Sequence, residues 1–93
     1  MTIDNRIQVV LIDDDPHLRQ ALGQTLDLAG LKILPLSEAK GLAGQLERDW
    51  PGVVVSDIRM PGMDGLELLS ELHAQDPELP VLLITGHGDV PLA

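Results

Sequence analysis

The sequence predicts an α/β fold built around a doubly wound parallel sheet, and three observations carry that prediction. Four short aliphatic runs, residues 7–12, 31–36, 53–55 and 81–84, are distributed along the 93 residues. Between them, apolar residues recur at helical spacing. The runs have little polar interruption, the pattern of strands covered on both faces. Strand alternating with helix gives parallel pairing with right-handed crossovers.

The first run ends in Asp13-Asp14-Asp15-Pro16. Asp15 is placed to cap a helix and Pro16 suits its first turn. Leu18, Ala21, Leu22, Thr25, Leu26 and Ala29 then form one core-facing stripe, and Gly30 stops the helix. The second strand contains Pro35, which cannot donate to a ladder, so it belongs at a sheet edge. Ser37 starts a second predicted helix running to about Arg48, with Ala39, Leu42, Ala43 and Leu46 inward. Gly41 and Gly44 make it the weakest helix, at roughly 1 kcal/mol each relative to Ala. Trp50-Pro51-Gly52 turns the chain into the third strand, at the end of the sheet opposite Asp57. Asp64 and Glu67 have capping-box spacing for a third helix, with Leu66, Leu69 and Leu72 on its apolar face and Leu68 beside them. Asp76-Pro77 closes that helix, and the fourth strand ends at Thr85. His17 and His73 read as solvent-facing helix residues.

Composition bounds the function. A chain of 93 residues permits one domain, and 44% hydrophobic content with 1% aromatic demands an aliphatic core. A net charge of -9 argues against nucleic-acid binding by this segment and is compatible with basic partners or Mg²⁺. The absence of cysteine excludes a disulfide framework and thiol chemistry. No apolar run reaches the roughly 18 residues that span a membrane. Residues 1–8 lack the apolar core of a signal peptide, so a cytoplasmic protein is the simplest expectation.

Three strand ends carry polar chemistry: Asp13 and Asp14, Asp57, and Thr85. In an open doubly wound sheet, ligands bind beyond the carboxyl ends of the strands at the switch point. With strand order 2-1-3-4, the first and third strands flank that point and their carboxylates converge. Crowded carboxylates raise one another's pKa, and Mg²⁺ with oxygen ligands relieves the repulsion. An Asp beside Mg²⁺ is a nucleophile suited to a phosphoryl group, and the Thr85 hydroxyl is placed to meet the phosphate oxygens.

The Asp13-Asp14 pair, the block from Ser56-Asp57-Ile58-Arg59-Met60-Pro61-Gly62 to Met63-Asp64-Gly65, and Ile84-Thr85-Gly86 together resemble the receiver domain of bacterial two-component response regulators. The resemblance covers essentially the whole chain. With residues 85–93 included, it is similar to the regulators of four-carbon dicarboxylate transport, of the nitrogen-regulator class; nitrogen-fixation regulators with a different output domain share the wording of residues 85–91. The resemblance implies a flavodoxin-like sheet of order 2-1-3-4. It implies that Asp57 accepts a phosphoryl group from a sensor histidine kinase. It further implies that Asp14 binds Mg²⁺ directly, Asp13 largely through water, and the Arg59 backbone carbonyl completes the protein ligands with Asp57. Thr85 is the implied switch hydroxyl, and Arg59 and His87 tune loss of the phosphoryl group. DNA is reached only through an output domain outside this chain.

One departure from the family pattern is the lack of a fourth helix, a fifth strand with its Lys, and a fifth helix. The expectation is therefore an incomplete receiver that binds Mg²⁺ weakly and is poorly phosphorylated; equal acetyl-phosphate labelling of a full-length receiver refutes it. The family's dimers use that absent surface, which leaves a homodimer open.

Two competing functions belong to other classes. A haloacid-dehalogenase-like phosphatase also uses an acid after its first strand with a second two residues on, the spacing of Asp13 and Asp15. His17 stands where Thr is expected, and no cap domain is present. The other reading is a receiver-like interaction surface that takes no phosphate, against which the full acidic set argues. A regulatory phosphoacceptor, not an enzyme, is the reading the residues favour.

Overall fold

Four parallel strands form one sheet in the order β2-β1-β3-β4: β1 Val9–Ile12, β2 Ile33–Leu36, β3 Val53–Asp57 and β4 Val81–Ile84. The computed structural model describes residues 2–84. β1 and β3 are neighbours although β2 lies between them in sequence, so the switch point falls between them. Pro35, opposite Leu11, lies on β2 at the edge of the sheet, where its missing N–H costs least.

Helix α1 spans Pro16–Leu28, with Asp15 as its cap. The Asp15 carboxylate accepts from the amides of His17 and Leu18 at 2.9 and 3.4 Å. Gly30, at a φ of 89°, takes the left-handed position that ends the helix. α1 packs over β1 and β2, closest at the buried Gly23, where an added Cβ would lie 3.1 Å from Ile33 Cδ1. Its predicted stripe is only partly covered: Leu18, Leu22 and Leu26 are half-buried, and Ala21, Thr25 and Ala29 are exposed. The helix bears on one side of the sheet's midline, so only the line through Gly23 is fully enclosed.

The opposite face of the sheet holds the main core. Val10, Ile12 and Val54 pack there with Leu42, Leu46, Trp50, Leu68 and Leu72. The predicted helix from Ser37 to Arg48 is not formed. The segment is irregular except for a 3-10 turn at Ala43–Gln45. Gly41, at a φ of 82°, stands in the left-handed region and interrupts any right-handed helix. Ala39, Leu42, Ala43 and Leu46 are nonetheless all buried, as the spacing predicts.

Helix α2 spans Gly65–Gln75 and opens with a complete capping box between Asp64 and Glu67. Leu68 and Leu72 are its buried residues, whereas Leu66 is 57% exposed, so the apolar face is rotated from the predicted one. Asp76 ends the helix. His73, read from sequence as solvent-facing, is half-buried, and its Nε2 donates to the Leu79 carbonyl at 2.9 Å. Trp50 is buried against the amino end of the sheet, where Val53 donates to Gln8, and its Nε1 donates to the Asp4 carbonyl at 3.3 Å.

Candidate functional site

The site is assembled by the carboxyl ends of β1 and β3. Asp13 continues the ladder one residue past β1, donating its amide to the Leu36 carbonyl at 3.1 Å. Its side chain is fully buried. Asp13 Oδ1 accepts the amide of Asp15 at 2.9 Å, a bond that turns the chain toward α1. Asp14 is the least buried of the acidic residues here. Asp57 is the last residue of β3, in register with Ile84, and is fully buried. Its Oδ1 accepts the amide of Arg59 at 3.2 Å.

These elements bring one carboxylate oxygen each from Asp13, Asp14 and Asp57 to within 4.8 Å of one another. The convergence predicted from sequence is therefore present. Burial pushes the Asp13 carboxyl above its ordinary value of 3.8; the negative charges of Asp57, Asp14 and Asp15 add to this, and the Asp15 amide partly opposes it. Asp13 Oδ2 and Asp14 Oδ1 are buried without a hydrogen-bond partner among the described residues. Desolvated oxygen atoms of this kind are costly unless something compensates them. A donor set made only of carboxylate oxygens suits a hard cation rather than zinc or copper.

The remaining predicted residues are placed as follows. Asp15 is committed to capping α1 and is not a member of the cluster, which removes the geometric basis of the Asp13–Asp15 phosphatase reading. Arg59 touches the site through its amide, while its residue is exposed. Thr85 and His87 lie outside the described residues.

Sequence reading missed the part played by Gly65. It is buried, and its amide donates to the Ile58 carbonyl at 2.9 Å. A Cβ there would meet the Asp57 carbonyl and Ile58 Cα. The absent side chain lets α2 start directly against the residue that carries the central acid. The Asp-Gly pair at 64–65 was the available signal, and it reads equally well as an ordinary turn.

A parallel sheet of this order with acids gathered at its switch point is an arrangement found in receiver domains, and the comparisons agree with that class. Residues 9–93 match the response regulator receiver domain, and the chain belongs to that family. It is similar to the C4-dicarboxylate transport transcriptional regulatory protein DctD of Pseudomonas aeruginosa, 71% identical over 97% of this chain and 20% of that protein. It is also similar to the transcriptional regulatory protein FixJ of Bradyrhizobium diazoefficiens, 46% identical over 91% of this chain and 42% of FixJ. The response regulator TrrA of Thermotoga maritima, solved in complex with Mg²⁺ and BeF, superposes with a TM-score of 0.73 at 25% identity, covering 87% of this chain and 70% of TrrA. The chain thus spans about a fifth of the length of DctD.

Proposed function

We propose that this chain is a phosphorylation switch in which Asp57 is the phosphoacceptor. The observation that carries the proposal is the convergence of the Asp13, Asp14 and Asp57 carboxylates within 4.8 Å at the switch point. Asp14, Asp57 and the Arg59 carbonyl would hold Mg²⁺ directly, with Asp13 acting largely through water. The orphaned oxygens of Asp13 and Asp14 fit that role, and the TrrA complex with Mg²⁺ supports it by analogy. Bound there, Mg²⁺ supplies positive charge that offsets the crowded acids and the incoming phosphate.

The chemistry at Asp57 is a displacement at phosphorus. A carboxylate oxygen of Asp57 forms an O–P bond as the P–N bond of a phosphohistidine on a sensor kinase breaks, and the departing imidazole takes up a proton. Asp57 is buried, and the Arg59 amide bonded to its Oδ1 helps to orient the carboxylate. Thr85, one residue past β4, would supply the hydroxyl that meets the phosphoryl oxygens. The added charge then biases the surrounding loops toward a second state.

The partners follow from the relatives. A cytoplasmic sensor kinase domain would donate the phosphoryl group, and an output domain would bind DNA. The higher identity to DctD than to FixJ favours control of dicarboxylate transport genes over a nitrogen-fixation role. Incubation with acetyl phosphate and MgCl₂, followed by peptide mass spectrometry, tests the reaction. One phosphoryl group on Asp57, lost with EDTA or in Asp57→Asn, is the expected result. A phosphoryl group on another residue, or a wild-type chain that stays unlabelled with Mg²⁺ bound, contradicts it.

A further inference from the structure

Arg19 is half-buried in the first turns of α1, six residues beyond Asp13. Its Nη1 donates to the Asp13 carbonyl at 2.7 Å, and its amide donates to the Asp15 carbonyl at 2.9 Å. One residue therefore holds the carbonyls on either side of Asp14. The Asp13 amide is tied to Leu36 and the Asp13 carboxylate to the Asp15 amide, and the Arg19 guanidinium adds a third tie to the turn. Among the described residues, Arg19 forms no ion pair with a carboxylate. Its charge-assisted bond goes to the backbone, which leaves Asp13 Oδ2 and Asp14 Oδ1 available to a cation.

We propose that Arg19 is a positioning residue that locks the Asp13–Asp14 peptide plane and so aims the Asp14 carboxylate at Asp13 and Asp57. The inference rests on the reading of those carboxylates as a Mg²⁺ site. A peptide plane free to rotate about its flanking bonds would swing the Asp14 Cα–Cβ direction and spread the donor set. Residues behind metal ligands commonly hold affinity in this way, and their loss costs about 10-fold or more. A guanidinium is suited to the task because its planar fork is rigid and remains charged, whereas an ammonium is a compact, heavily hydrated point charge.

The test uses this chain with ¹⁵N-labelled backbone, MgCl₂ as the probe, and the variants Arg19→Met and Arg19→Lys. Two readouts are taken: the Mg²⁺ affinity from amide shifts at residues 13–15 and 57–59, and hydrogen exchange without metal of the Asp15 amide, which is bonded to Asp13 Oδ1. Arg19→Met is expected to weaken Mg²⁺ about 10-fold and to speed exchange of the Asp15 amide, with Arg19→Lys intermediate. Wild-type affinity together with wild-type exchange in either variant overturns the inference. Faster exchange in a protein whose wild type shows no Mg²⁺ shifts would overturn the metal reading and uphold the lock. Arg19→Lys, which keeps charge and helix propensity, decides the matter if Arg19→Met fails to fold.

Discussion

Two connections cover the same face of the sheet, and they reach it by different backbones. Residues 37–46, after β2, bury Ala39, Leu42, Ala43 and Leu46 without forming more than one 3-10 turn. Residues 64–75, after β3, bury Leu68 and Leu72 from a regular helix. The second has a capping box and the close-packed Gly65 at its start. The first has no side-chain cap on its turn and a left-handed glycine in its middle. Which side chains are enclosed is thus set by the apolar sheet face. Which backbone carries them is set by local capping and by glycine.

The largest effects should fall equally on both connections if burial, not helix formation, is what stabilises them. Leu72→Ala and Leu42→Ala, at residues 0% and 1% exposed, should each cost about 3 kcal/mol in urea unfolding. A loss at Leu42 below a third of that at Leu72 would break the comparison. Glycine substitutions should separate the two regions. Gly65→Ala drives a methyl against backbone at Asp57 and Ile58 and should cost about 2–3 kcal/mol. Gly44→Ala meets nothing within 4 Å and has no positive φ, so it should change stability by under about 1 kcal/mol. Equal losses at the two glycines would show that the tight start of α2 has no special role.

A smaller effect is expected from pH. The Asp13 carboxyl is raised above 3.8 in the folded protein, so the native state holds that proton more tightly than the unfolded chain does. The stability this confers is fully present below about pH 4 and is lost as pH rises through the raised value. Asp13→Asn keeps the Oδ1 acceptor for Asp15 and should abolish this part of the slope in metal-free buffer. An unchanged slope, measured by urea unfolding across pH 4–7, would assign the pH dependence to other acids.

Much of this architecture was legible in the residues. Alternation pointed to a parallel sheet and Pro35 to an edge strand, the order 2-1-3-4 came with the family resemblance, and the site followed from acids at the ends of the first and third strands. The short helix after β2 was misread because its apolar spacing is helical while Gly41 takes a φ that spacing does not encode. The α2 face was misphased by three closely spaced leucines of equal hydrophobicity, Leu66, Leu68 and Leu69, which only packing can rank. Within the site, the acids were visible as residue types. Gly65 and Arg19 were not, because their contributions are a close backbone approach and a bond to a carbonyl, neither of which has a sequence signature.

The shared cation pocket is tested most directly by urea unfolding in MgCl₂ against NaCl of matched ionic strength, for the wild type, Asp14→Asn and Asp57→Asn. Mg²⁺ that binds the folded protein raises its stability by mass action. The wild type should gain with rising MgCl₂, and both variants should lose most of that gain. An equal gain in all three proteins would mean that Mg²⁺ acts on the acidic surface as a whole, and that the carboxylates of Asp13, Asp14 and Asp57 do not form one site.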